Sequence, residues 1–306
     1  MTNDDPYRFG PPEPAPRPVV ARSSGPTGRE ILRSTWGLLR TDRSMIWLAL
    51  VGNLASLAVV VALVVPGVAI SASLGHNQNA PLIVAGVLGV LLGAIVAIYF
   101  QAALVIGANQ RAEGRAPTFN GVLAEAWTLR WRIVQWAIVS CTAGLVIRAV
   151  EQRLGFLGRI VGIIGAIAWA VASFFVVPVL VAQRVGPIDA VKYSSRVIKN
   201  TWGTSLRTTL RFGVIQFVLT IVPMALTFIG VAFFIAGLND HAGYTAIGAV
   251  LFLVGLVGLF TIGATFGAIG IYARALIYRW SQGQPVPGID PSLFDGAFVA
   301  KRRRRR

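Results

Sequence analysis

The residues able to do chemistry are few and scattered. Arg148, Glu151, Arg153 and Arg159 crowd one short stretch, with Arg148 and Glu151 three apart on one helical face, a spacing that suits an interfacial anchor. His76 lies far along the chain from His241 and its neighbour Asp240. No His/Cys/Asp/Glu spacing typical of a metal site joins them, so they read as solvated loop residues. Cys141 is the single cysteine and sits in an apolar run, which rules out an intrachain disulfide and suits a small buried residue. No Walker loop, dinucleotide fingerprint, HExxH or GxSxG is present. No catalytic, cofactor-binding or metal-ligating residue is therefore assigned, and a non-enzymatic protein without a cofactor is expected.

What surrounds these residues explains their scarcity. Of 306 residues, 55% are hydrophobic and 13% charged, and the mean hydropathy is +0.68. A soluble domain needs roughly a quarter of its residues charged, so the chain belongs in a bilayer. Six apolar runs, near 45–70, 81–107, 133–152, 160–182, 213–238 and 245–272, each suit the roughly 20 helical residues that a hydrocarbon core requires. Continuous rather than alternating apolar character makes helices the plausible spanning form. The runs hold no charge near their midpoints, which argues against ion or proton pathways. Their polar residues, Asn53, Gln101, Gln135, Gln216, Thr220 and Thr261, suit hydrogen bonds between helices, and Pro223 suits a kink. A second possibility is a small permease for a neutral or amphiphilic substrate, lined by Asn53, Gln101, Gln216 and Thr220.

The net charge of +16 has the same origin. Counted by the segments between runs, 25 of the 28 Lys and Arg residues fall on one side and 3 on the other. By the positive-inside rule the richer side is cytoplasmic, which places both termini inside a cell (inner) membrane crossed six times. Basic residues gathered at membrane surfaces make anionic lipid headgroups the expected partner, with a membrane or cytoplasmic protein as a further one; no nucleic acid is expected.

Three segments on the basic side share a pattern: Ile31-Leu32-Arg33-Ser34-Thr35-Trp36, Val122-Leu123-Ala124-Glu125-Ala126-Trp127 and Val197-Ile198-Lys199-Asn200-Thr201-Trp202. Each puts two aliphatics, two variable residues, a small residue and a tryptophan just before a span. The repeat unit is read as an interfacial helix followed by a helical hairpin, used three times, with Trp36, Trp127 and Trp202 as anchors. Pro117-Thr118 and Gly186-Pro187 open the second and third copies, Thr118 as a helix cap and Pro187 at a first helical position. In the third copy Ile188, Val191, Ser195, Ile198 and Trp202 are expected on one face, and Lys192, Arg196 and Lys199 on the other.

Small residues four apart mark the second span of each pair: Gly89 and Gly93 between Ala85 and Ala97, Gly158 and Gly162, then Gly263 and Gly267. Such stripes let helices approach closely in lipid. The domain plan is a disordered, proline-rich cytoplasmic arm (1–28), a six-span membrane domain (29–282) and a cytoplasmic tail (283–306). That tail ends in Lys301, Arg302, Arg303, Arg304, Arg305 and Arg306, a polybasic run suited to anionic headgroups. The first thirty residues hold seven prolines and no apolar h-region, so the first span is expected to serve as an uncleaved insertion signal. The fold class is an all-α polytopic membrane bundle of six transmembrane helices in three hairpins, each led by a cytoplasmic amphipathic helix.

The stretch VVPVLVAQRVGPIDAVKYSSRVIKNTWG, with ARALIYRWSQGQPVPGIDPSLFDGAF, resembles an uncharacterised family of bacterial six-span membrane proteins, domain of unknown function 6159. The likeness covers most of residues 29–300. It rests on the Val-Pro-Val-Leu span end, Gly-Pro with its amphipathic helix, Thr-Trp-Gly, and the final Gly-x-x-Pro-x-x-x-Asp region ending in Phe. Members commonly carry an acidic residue soon after the span end, where this chain has Gln183 and Arg184. The layout is also similar to membrane domains associated with glycerophosphodiester phosphodiesterases, without the hydrolase. The resemblance implies a fold and no activity.

Overall fold

The computed structural model describes residues 37, 43–74, 80–153, 155–201, 205–237 and 242–284. Among these residues 92% are helical and none is in a strand. The helices are α1 (Arg43–Leu74), α2 (Ala80–Ala112), α3 (Phe119–Trp127), α4 (Arg130–Arg153), α5 (Gly155–Ala172), α6 (Val176–Gln183), α7 (Pro187–Thr201), α8 (Ser205–Gly237) and α9 (Ala242–Ser281). Among the described residues six segments are long and apolar enough to cross a membrane: α1, α2, α4, α5 with α6, the outer part of α8, and most of α9. The chain is a multi-pass membrane protein. α9, with 40 residues, is about 60 Å long at 1.5 Å per residue, twice a hydrocarbon core, so it projects well beyond one.

Buried residues concentrate at one end of the bundle. The first turns of α1 supply Met45, Leu48 and Ala49; the last third of α2 supplies Ala103–Ala108; α3 supplies Val122 and Ala126; the end of α9 supplies Ala264–Ala275. A second cluster joins Leu129, Ile133, Trp136 and Ala137 to Phe175, Val176, Val179 and Leu180 of α6, to Ala190 and Ile198 of α7 and to Tyr278. The C-terminal ends of α2, α6 and α9 contact one another there. We call this the basic end, since α2, α6 and α9 run into the Lys- and Arg-rich segments. Toward the other end most large side chains are exposed, among them Val65, Ile83, Leu145, Ile163, Phe228 and Val257. An exposed apolar surface of that extent is what lipid covers.

Local chemistry sets the helix ends. α2 stops in a Schellman turn: Arg115 N donates to Gln110 O, Gly114 N donates to Arg111 O, and Gly114 takes φ +78°, which lacks the steric cost a side chain would add. Arg184 ends α6 in the same left-handed region, at φ 52°. Thr118 caps α3 by accepting from Gly121 N, as its position in the sequence implies. The fourth apolar run does not form one continuous helix. It breaks at Ser173–Phe175 into α5 and α6.

Candidate functional site at the basic end

The break between α5 and α6 leaves the Phe175 amide without a helical partner. Ser194 of α7, fully buried, accepts its hydrogen bond at 3.0 Å. The buried face of α7 is accordingly Ala190, Ser194 and Ile198, four apart. This differs from the face expected from sequence. Ile198 is buried as expected, Val191 and Ser195 are half-buried, and Ile188 is 64% exposed, turned to the same side as Lys192 and Arg196. The amide that Ser194 satisfies lies 19 residues away, and helical periodicity within α7 carries no trace of it.

Polar side chains tie the helix ends together around this point. Gln183 Nε2 donates to Tyr278 Oη at 2.9 Å, linking α6 to α9. Arg274 donates through Nε to Gly270 O at 3.1 Å, and its guanidinium lies 5.3 Å from the Phe174 ring centroid. Arg279 Nη1 donates to Glu113 Oε1 at 2.9 Å, joining the end of α9 to the turn after α2, and Arg115 binds the other carboxylate oxygen. The hydrogen bond from Arg115, reinforced by that from Arg279, holds the Glu113 carboxyl below its ordinary range against the opposing effect of partial burial. Gln110 Nε2 donates to Glu125 Oε2 at 2.9 Å, and Tyr99 Oη donates to Leu123 O at 2.9 Å, so α3 is strapped along α2.

The outward side of this end is aromatic and cationic. Trp127 is 60% exposed, with the Arg130 guanidinium 5.6 Å from its ring centroid and Tyr99 edge-on at 6.2 Å. Trp47 in the first turn of α1 and Trp131 in the first turn of α4 are exposed at the same end. Lys192 pairs with Asp189 at 3.3 Å, and Arg196 lies 5.6 Å from the Tyr193 ring centroid; both are exposed. Lys199 falls within α7, and its side chain is outside the described set. Trp36, Trp202, the cations 301–306, His76, Asp240 and His241 also lie outside the described residues. Among the described residues no three His, Cys, Asp or Glu side chains are grouped to hold a metal.

The chain matches a family of unknown function, DUF6159, over residues 81–285. It belongs to that family. No curated protein and no solved structure matches it. The DUF6159 region takes in α2 through α9 and so contains the α5/α6 break, Ser194, Gln183, Tyr278 and the Glu113 to Arg279 link.

Within that region the small residues fall into two groups. A Cβ on Gly93 would come within 2.7 Å of Val60 Cγ2 and 3.4 Å of Ser56 O, and Ser56 Oγ donates to Gly93 O at 2.9 Å across α1 and α2. Gly89 lies against Val64 at 3.4 Å, Gly162 lies under the Glu151 side chain at 3.1 Å, and Gly158 is buried. Gly263 and Gly267 have nothing within 4 Å of where a Cβ would stand. The close approach of α8 to α9 runs instead through Gly230, Gly237, Gly248 and Gly255, where a Cβ would meet the facing backbone. Asn53 is exposed on α1, while Gln101, Gln216 and Thr220 are half-buried on α2 and α8; neither cleft described below is lined by any of the four.

Proposed function

We propose that this membrane protein is non-enzymatic and organises anionic lipid headgroups at the cytoplasmic leaflet, using the outward surface of α3 and α7. The observation that carries this reading is the coincidence, at one end of the bundle, of exposed Trp47, Trp127 and Trp131 with exposed Lys192 and Arg196. Tryptophans prefer headgroup depth because the ring is amphipathic, and cations beside them meet phosphate. The split of 25 Lys and Arg residues against 3 supports a cytoplasmic place for that end under the positive-inside rule. The polybasic tail would add long-range attraction, and a protein partner recruited to the same surface would meet the same cations.

The reading is tested by reconstituting the full chain with spin-labelled phosphatidylglycerol or phosphatidylcholine and measuring the motionally restricted fraction. The anionic lipid should be preferred, and the double change Lys192→Gln and Arg196→Gln should weaken that preference by roughly fivefold per residue. An identical restricted fraction for both lipids in the native chain would remove the proposal.

A further inference from the structure

α4 and α5 pack more loosely against each other than α1 does against α2 or α8 against α9. Where α8 and α9 meet backbone to backbone, α4 and α5 touch through side chains, and a Cβ on Gly165 would meet only Ile147 at 3.7 Å. The space left between them is a trough in two adjoining parts. Its outer part, about 930 Å³, is bordered by Arg148, Glu151, Gln152 and Arg159. Its inner part, about 660 Å³, is apolar, with Ile138, Val146 and Ala168 along its walls. Ile147 and Trp169 line both parts, and Trp169 stacks on buried Trp136 at 5.8 Å between centroids. From Ile138 to Glu151 the trough follows α4 for about 20 Å, against about 15 Å for the hydrocarbon of one leaflet.

The mouth is cationic. Two guanidiniums face one carboxylate there, and among the described residues none of the three makes an ion pair. Of the three segments at this end of the bundle this is the one that carries Lys or Arg; residues 71–80 and 238–244 have none. Arginine forks match phosphate oxygens geometrically, and a long apolar slot below a cationic mouth matches an amphiphile with a negative head.

We propose that the α4–α5 trough is a binding site for one anionic phospholipid of the leaflet opposite the basic end. Its phosphate sits between Arg148 and Arg159, and one acyl chain lies along the apolar walls as far as Trp169. This site is separate from the surface of α3 and α7 and does not depend on the reading given for it.

The test is native mass spectrometry of the full chain in mild detergent, titrated with phosphatidylglycerol or with phosphatidylcholine of the same chains. One phosphatidylglycerol should bind more tightly than phosphatidylcholine. Changing Arg148→Gln with Arg159→Gln should weaken that lipid by roughly 25-fold. Ala168→Trp, which fills the exposed apolar slot and leaves the charges in place, should displace it too. Lys192→Gln with Arg196→Gln should leave this one lipid bound, which separates the two sites. Equal binding of both lipids, or unchanged binding in both trough variants, would overturn the proposal.

Discussion

Removing the Ser194 hydroxyl would strand the Phe175 amide in a fully buried position, because the break between α5 and α6 offers it no carbonyl. Ser194→Ala is therefore expected to cost about 1–3 kcal/mol, while Ser195→Ala, half-buried beside it, should be close to neutral; thermal unfolding in detergent compares the two. Glu113 gives a pH-dependent counterpart. Its carboxyl is depressed in the folded state, so the stability it contributes is present above the ordinary value of 4.5 and is lost as pH falls through the lower folded value. Glu113→Gln should flatten the loss of stability below that pH in a series of melts. At this scale the sequence was legible where signals are local. Thr118 and Pro187 stand three residues or fewer from what they do. Ser194, Gln183 and Arg279 act on groups 19, 95 and 166 residues away, and no spacing rule reaches that far.

The long helices could be placed by composition, since a run of about 20 apolar residues in lipid has few alternatives to helix. The six runs correspond to the six segments long enough to cross a membrane. The α5/α6 break has a local signal that the apolar run hides: Pro178 has no N–H for the Phe174 carbonyl four residues back and its ring crowds that carbonyl, so the helix gives way at Ser173–Phe175. The helix contact surface was not fully readable, since glycines four apart mark several possible faces of one helix. At Gly248 a Cβ would strike the Phe234 backbone, whereas at Gly263 it would enter open space. Gly248→Ala should force α8 from α9 and destabilise the fold by about 1–3 kcal/mol. Gly263→Ala should leave the unfolding temperature unchanged or slightly higher. Equal loss in both would show that α8 and α9 meet on another face.

As a whole, the molecule is a packed hub at one end with long apolar arms leaving it. The hub holds most of the buried residues and the cross-helix polar links described above, while the arms present large apolar side chains outward. The proposed place of the hub at the cytoplasmic headgroups accounts for three features together: the charge asymmetry, the exposed tryptophans at that end, and an amphipathic α7 that buries one face and leaves Lys192 and Arg196 exposed on the other. Ile188 is the most telling position, being apolar, 64% exposed and on the cationic side of α7. The most direct measurement attaches a spin label at Ile188→Cys, with Cys141→Ala removing the native thiol, and compares its collisions with oxygen and with a water-soluble nickel chelate in reconstituted bilayers. The account predicts greater access to oxygen than to the chelate, as for a side chain at or just below the headgroups. Access dominated by the chelate, as in bulk water, would contradict it.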